Sequence, residues 1–437
     1  MSVDRAKLIL KFVLLALLGV IPLITTDIHY GGGDPYYGPI DAQSILENGT
    51  ILLDDYIESG RIHIGYQLRK TRDGRFYNKY PDGTSILQIP FVAIAHYIFK
   101  MDMTERRHNY RFQKIMAGII FILIFLIFYR ISRLYFDERK SLLISFMFIW
   151  GTSMVGSNLA SLWTHLMLML LSTLVIYMLL IYEKRATIKP YILGTILFLT
   201  FFVRQTGVFL VISVFIYLFL KRDFRVFFKT VLVSFIFFLL YMVYNYLVYK
   251  TPFSLYDTWG LRFHNYGLRN LYCLLTSPTR GLFVFNPVLL ITAAGVFLYW
   301  KEFPKHFRYL LMLWITGIIL MVSYFWTAWW GGWAYGPRLL VEIFPGLFVL
   351  TLWVLKRNPN LFRYFLLLSI AGLFINFVNS VKNKYAHDIN RIVYTLYSPG
   401  DYSKIEWFYC SWEANQILAS PYTNRVLERR VEMFKDR

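Results

Sequence analysis

The stretch Gln113-Lys-Ile-Met-Ala-Gly-Ile-Ile-Phe-Ile-Leu-Ile-Phe-Leu-Ile-Phe-Tyr-Arg-Ile-Ser-Arg133 decides the fold class of this chain. No charge interrupts it from Ile115 to Tyr129, and Arg130 and Arg133 close it. A helix that crosses a bilayer needs about 20 mostly apolar residues. Lysines and arginines collect on the cytoplasmic side of such helices. The stretch therefore reads as a spanning helix with its inner end marked.

The same reading extended over the chain gives eleven candidate spans, at 8–25, 113–131, 141–156, 160–182, 190–204, 206–220, 226–248, 282–300, 309–327, 338–355 and 364–381. Short basic loops separate most of them. Arg130/Arg133/Arg139/Lys140, Lys184/Arg185/Lys189, Lys221/Arg222/Arg225/Lys229, Lys301/Lys305/Arg308 and Lys356/Arg357/Arg363 join Arg5, Lys7 and Lys11 as 20 basic residues, against six acids in the same segments. The opposite short loops, near 157–159 and 327–337, carry no charge. The asymmetry predicts a cytoplasmic N-terminus, and eleven spans then place the C-terminus outside. With 57% hydrophobic and 16% charged residues, the chain falls well below the roughly 25% charge of soluble domains, which excludes a soluble enzyme or a disordered tail. Its net charge of +20 is mostly this orientation signal, so a nucleic-acid binder is not expected. The first span is read as uncleaved, because no small-x-small site follows Pro22-Leu-Ile-Thr-Thr26.

Three segments exceed the length of connectors, and all fall outside: a first outer loop at 26–112, a second at 249–281 and a tail at 382–437. The expected organisation is a transmembrane catalytic domain, 1–381, followed by that tail. Tyr36–Glu47 and Ser85–Lys100 are amphipathic and read as helices at the membrane surface. Cys273 and Cys410 both land outside, where a disulfide is permitted, but a lone pair of cysteines more often stays reduced, and that is the expectation.

Candidate chemistry sits in the outer segments. Asp27, Asp34, Asp41, Glu47, Asp54, Asp55 and Glu58 crowd the first loop. Asp34 follows three glycines and precedes Pro35, so it suits the cap of a helix; a carboxylate there also suits a general base. Lys79, in Lys79-Tyr80-Pro81, offers a point charge for a phosphate. Arg204 lies in apolar company between two spans, which marks a functional position by default. His165, in Leu162-Trp-Thr-His165, lies near the outer end of its span and reads more simply as a hydrogen-bonded structural residue. Trp329-Trp330-Gly-Gly-Trp333-Ala-Tyr-Gly-Pro-Arg338 reads as a shaped site in which aromatic rings stack on a sugar and Arg338 grips an anion. Glu342 lies four residues on, and the i, i+4 relation would let it orient Arg338. Arg280 repeats the theme in Ser277-Pro-Thr-Arg-Gly-Leu-Phe283.

Taken in order, the acidic first loop, Ala42-Gln-Ser-Ile-Leu-Glu-Asn-Gly49, Tyr77-Asn-Lys-Tyr-Pro81, Leu162-Trp-Thr-His165, Val203-Arg-Gln-Thr206, Tyr244-Asn-Tyr-Leu247, Ser277–Phe283 and Tyr335-Gly-Pro-Arg338 resemble the GT-C superfamily of integral-membrane glycosyltransferases. The resemblance covers most of the chain and implies an all-α polytopic membrane protein with surface helices in its first outer loop. It also implies a sugar donor linked to polyprenyl phosphate, a glycan or lipid-linked glycan acceptor, and inversion by direct displacement. Asp34 or Asp27 would be the base. Lys79, Tyr80, His165, Arg204, Arg280, Trp329, Trp330, Arg338 and Glu342 would bind lipid phosphate or sugar. Many members carry two adjacent acids at the first-loop site, whereas here Pro35 follows Asp34, which weakens any case for a divalent metal; no cofactor is expected. The composition is similar to that of bacterial or phage enzymes that glucosylate O-antigen at the inner membrane. A flippase of lipid-linked glycan, or a non-catalytic scaffold, are the competing readings. The acids crowd an outer loop rather than the middle of the spans, which disfavours a transporter.

Overall fold

The computed structural model describes residues 34–158, 162–252, 266–326, 328–378, 384–396 and 403–435. These are almost entirely helical, and the one sheet among them is a two-stranded hairpin. Among the described residues, six helices are long and apolar enough to cross a membrane: Arg106–Ser132, Thr164–Arg185, Phe224–Tyr249, Lys305–Phe325, Arg338–Arg357 and Pro359–Asn376. Pro190–Val203 and Gln205–Leu220 are shorter apolar helices. The chain is an all-α polytopic membrane protein, as expected.

Four of the expected spans differ in detail. The run at 141–156 is a helix Glu138–Trp150 that stops at Gly151 and restarts as Ser153–Asn158. Residues 190–204 and 206–220 form two apolar helices too short to count among the six, parted at Arg204. The run at 282–300 breaks at Asn286-Pro287 into Leu282–Phe285 and Val288–Tyr299, because proline lacks the donor that would continue the helix. The span at 8–25 lies outside the described residues.

The chain divides into two compact units, each assembled from separated segments. One draws on 34–123 and 162–252 among the described residues. Its outer-loop portion is the pair of helices expected at the surface, Tyr37–Asn48 and Asp82–Ala93, packed together, the second ending in a π-helical turn, Ile94–Ile98. A hairpin precedes the second helix, Leu68–Lys70 against Phe76–Asn78, with Leu68 opposite Asn78 and Lys70 opposite Phe76. The helix Asp82–Ala93 starts hard against the turn after Pro190–Val203: a Cβ on Gly83 would lie 2.4 Å from the Phe202 carbonyl oxygen. Only glycine allows that approach. Phe224–Tyr249 is the outermost helix, with 17% of its apolar window buried, so Phe228, Leu232, Phe235 and Leu239 face outward. In water such a face would be a liability; in lipid it is ordinary. At one end Lys221 pairs with Glu183 at 3.3 Å and Asp223 caps the next helix through the Val226 amide, so the acids of two basic loops are locally satisfied.

The second unit draws on 124–158 and 266–435 among the described residues. Its core is Arg338–Arg357, 89% buried over its apolar window. Phe348 of this helix stacks on Phe128, ring centres 4.0 Å apart. Gly372 and Gly151 bring two helices into backbone contact, since a Cβ on Gly372 would meet the Gly151 carbonyl oxygen at 2.0 Å. Small residues at helix crossings are how membrane helices gain packing without a hydrophobic driving force.

Candidate functional site

In the first unit, the loop carboxylates sort into two groups. Asp41 is fully buried on the helix Tyr37–Asn48. Its Oδ2 accepts from the Asn78 amide at 2.8 Å and from the Ser85 hydroxyl at 2.9 Å. Asp82, almost as buried, accepts from the Tyr249 hydroxyl at 2.6 Å and the Tyr244 hydroxyl at 3.1 Å. The hairpin, the helices Tyr37–Asn48 and Asp82–Ala93 and the end of Phe224–Tyr249 therefore meet at two acids whose hydrogen-bond partners are all neutral. Burial pushes Asp82 up to about 6, against the pull of the two tyrosine hydroxyls. Burial also raises Asp41, which Asn78 and Ser85 oppose and the Asp82 charge assists.

A raised carboxyl pKa fixes the sign of a pH effect. An acid that holds its proton more tightly when folded contributes its full stability below the unfolded pKa and loses it as pH rises through the folded one. Asp82 should thus weaken the fold between about pH 4 and pH 6, by at most ~3 kcal/mol for a shift of about two units. Asp41 acts in the same direction. Thermal unfolding in detergent at pH 4.5 and pH 7 measures the slope, and Asp82→Asn should flatten it. An unchanged slope in that variant would show that Asp82 ionises as readily folded as unfolded.

The second group, Glu47 on the same helix and Asp102 ahead of the helix Arg106–Ser132, is charged. Glu47 accepts from Arg61 and from the Tyr56 hydroxyl, each at 2.8 Å, and from Gln43 at 2.7 Å. Arg61 also reaches Asp102 at 2.9 Å. Burial would raise Asp102, but hydrogen bonds from the Thr104 hydroxyl and amide, Gln43 and Arg61 outweigh it and hold the carboxyl at about 2. Beside this network is a cavity of about 460 Å³ lined by Tyr36, Tyr37, Arg61, His63, Gln67 and Arg106, with Ile62 and Thr104. Tyr36 belongs to the 3-10 turn Asp34–Tyr36 that leads into the helix, so Asp34 sits two residues from the cavity lining. The Asp34 side chain and all of Asp27 lie outside what the structure describes. Lys79 is half-buried, with its ammonium 5.2 Å from the Tyr66 ring centre and 5.4 Å from that of Tyr80. Arg204, 5% exposed, donates to the Thr164 hydroxyl at 3.1 Å, next to the buried His165, so the structure brings together two sequence motifs separated by 40 residues.

In the second unit, the aromatic segment folds differently from a stack of sugar-binding rings. Trp329 and Trp330 are each 1% exposed. Trp330 stacks on Tyr409 at 5.6 Å and donates to the Tyr394 hydroxyl at 3.3 Å. These two rings pack in the protein interior instead of presenting faces to a ligand. Arg280 is fully buried and all five of its N–H donors are used. Nε donates to the Trp330 carbonyl; Nη1 to the Thr279 carbonyl at 2.9 Å and Gln416 at 2.6 Å; Nη2 to the Gly332 carbonyl at 3.1 Å and Asn390 at 2.8 Å. A guanidinium has five such donors, so in this arrangement Arg280 holds the loop and has none left for a phosphate. Burial lowers its pKa to about 10, so it stays charged at neutral pH. Arg338 and Glu342 are buried in a 3-10 helix, Arg338–Ile343. That helix has three residues per turn, so the α-helical i, i+4 relation expected for the pair does not apply to its backbone.

The sequence reading did not single out Asn390, Tyr409 and Gln416, which surround Arg280. Gln416 also accepts from the Gly336 amide at 3.1 Å and donates to the Ala334 carbonyl at 3.2 Å, so the tail is knitted into the loop. Cys273 and Cys410 form a disulfide, contrary to the expectation. The reason is geometric: helices Gly267–Thr276 and Ser403–Cys410 face each other, and one turn along from the cysteines Arg269 pairs with Glu406. Among the described residues, no three His, Cys, Asp or Glu side chains group as a metal site.

No protein-family profile matches the sequence, and no curated protein matches it. Among solved structures, the apo oligosaccharyltransferase of Archaeoglobus fulgidus aligns with a TM-score of 0.50 at 12% identity, over 93% of this chain and 59% of the enzyme. The two proteins share a fold. Apo ArnT of Cupriavidus metallidurans aligns with a TM-score of 0.49 at 13% identity, over 98% of this chain and 78% of its own. The all-α polytopic fold expected from the sequence is the one found.

Proposed function

We propose that this protein is an inverting glycosyltransferase that moves a hexose, glucose being favoured, from an undecaprenyl-phosphate-type carrier to a glycan acceptor such as O-antigen on the outer face of the inner membrane. The cavity beside the turn that opens with Asp34 carries this reading. It lies in the first outer loop and joins tyrosine rings, which suit a sugar, to hydrogen-bonding side chains. The shared fold with an oligosaccharyltransferase supports it, as does the order of the motifs along the chain.

In the proposed reaction the Asp34 carboxylate, with Asp27 as its competitor, takes the acceptor hydroxyl proton. The acceptor oxygen bonds to the anomeric carbon from the face opposite the carrier, the carbon–oxygen bond to phosphate breaks, and the polyprenyl phosphate leaves with the bonding pair. Charge grows on that phosphate, so fixed cations lower the barrier; Lys79 and Arg204 are assigned this role. No step is routed through a metal. The disulfide supports an oxidising compartment for the segments that carry it, and so an external tail. The purified full-length chain, given glucosyl undecaprenyl phosphate and lipopolysaccharide, should yield glucosylated acceptor with the opposite anomeric configuration. Transfer from another hexosyl carrier alone would change the sugar and keep the reaction class. Absence of transfer and of sugar release from every polyprenyl-phosphate donor would sink the class.

A further inference from the structure

Of the three tryptophans in the aromatic segment, Trp333 behaves differently. It is 46% exposed, while Trp329 and Trp330 are enclosed. Its ring lies 5.2 Å from that of Tyr394, tilted by 37°, so the two rings form a shallow open angle. The backbone on either side of Trp333 is pinned from within. The Gly332 carbonyl accepts from Arg280, and the Ala334 carbonyl accepts from Asn390 at 3.1 Å and from Gln416 at 3.2 Å. Gly331 and Gly332 take φ of +78° and +66°, a doubly left-handed turn that other residues resist. The partner ring is anchored too, since the Tyr394 hydroxyl accepts from Trp330. The open side of Gly332 lies beside polar groups: a Cβ there would be 3.7 Å from the Tyr394 hydroxyl oxygen and 3.8 Å from Arg338 Nη2.

We propose that Trp333 and Tyr394 form a platform that takes one pyranose ring of the acceptor glycan, with the Tyr394 hydroxyl and Arg338 guanidinium at its rim. This rests on the glycosyltransferase reading above. A buried arginine whose acceptors are all neutral is a poor source of stability in itself; here it fixes the loop that holds an aromatic ring outward. Aromatic faces are electron-rich and attract the C–H face of a pyranose, and a ring fixed in advance loses little freedom on binding. An exposed tryptophan in a membrane protein otherwise serves as an interfacial anchor, and the test separates the two roles.

Full-length protein in lipid nanodiscs is titrated with maltoheptaose while tryptophan emission is followed. Trp333→Ala should weaken binding by about 3- to 10-fold, the equivalent of ~0.5–1.5 kcal/mol for a ring stack, and Trp333→Tyr should restore most of it. Brominated phospholipid should quench wild type and Trp333→Ala alike. Equal maltoheptaose affinity in Trp333→Ala, or a quenching component lost with Trp333, overturns the platform. The transfer assay distinguishes this failure from failure of the wider reading. Wild-type transfer with an unchanged acceptor KM in Trp333→Ala removes the platform and leaves the enzyme. Sugar binding that depends on Trp333 without any transfer removes the enzyme and leaves the platform.

Discussion

Asp34→Asn is expected to reduce glycosyl transfer by about 10²–10⁴-fold, the usual contribution of a positioned general base. The substitution suits the question because asparagine keeps the size and shape of aspartate and removes only its basicity. The chain at Asp34 enters a 3-10 turn that continues as the helix Tyr37–Asn48, whose N-cap is Tyr36 rather than Asp34. Melting temperature and donor KM should therefore stay near wild type while kcat collapses, and the limb of the pH–rate profile that reports the base should vanish. Asp34→Ala should lose transfer to a similar extent. If Asp34→Asn keeps full activity and Asp27→Asn abolishes it, the base is Asp27. If both variants keep full activity, the displacement mechanism is wrong for this protein.

The helices were legible because lipid demands one thing of a spanning segment, a long uncharged run with marked ends, and Gln113–Arg133 states it without ambiguity. Breaks in the runs were harder to see. Asn286-Pro287 announces itself, but the stop at Gly151 falls where Gly372 of another helix meets the backbone, a contact no local pattern contains. The same limit governs the sites. Asp41 was one acid among the seven crowded between residues 27 and 58, and what separates it from Glu47 on the same helix is its partners, Asn78 and Ser85, which arrive 37 and 44 residues later. Likewise, three tryptophans in five positions do not say which rings the fold encloses and which it leaves exposed. The left-handed pair Gly331-Gly332 reverses the chain between them, so Trp330 turns inward and Trp333 outward. Spacing along the chain carries no record of that reversal. The cysteines were missed for a related reason: their pairing depends on two helices 137 residues apart meeting in register.

Arg280→Ala should be the most destabilising single change in the second unit. Its acceptors lie one, 50, 52, 110 and 136 residues away in the chain, so one side chain joins the loop before Leu282–Phe285, the aromatic segment and both halves of the tail. Truncation leaves the buried Trp330 and Gly332 carbonyls without the Arg280 donor, while Gln416 Oε1 keeps the Gly336 amide and Asn390 Oδ1 keeps the Tyr409 hydroxyl. Each buried acceptor left unsatisfied costs about 1–3 kcal/mol, and the loop loses the side chain that ties it to the tail. Truncation also withdraws the guanidinium that lies 4.6 Å from the Tyr409 ring centre. Lysine keeps the charge but supplies three donors from a single point where a planar fork is needed, so Arg280→Lys should recover only part of the loss. The readouts are the melting temperature in detergent and the rate at which trypsin cuts the tail beyond Lys384. A second comparison separates the hub from mere burial. Reducing the Cys273–Cys410 disulfide frees the same tail from one side only, so its effect should be smaller in Arg280→Ala than in wild type, because the tail is already loosened. Strictly additive losses would mean that the arginine and the disulfide hold the tail independently, and a melting temperature unchanged in Arg280→Ala would show that the five hydrogen bonds do not bind the loop to the tail.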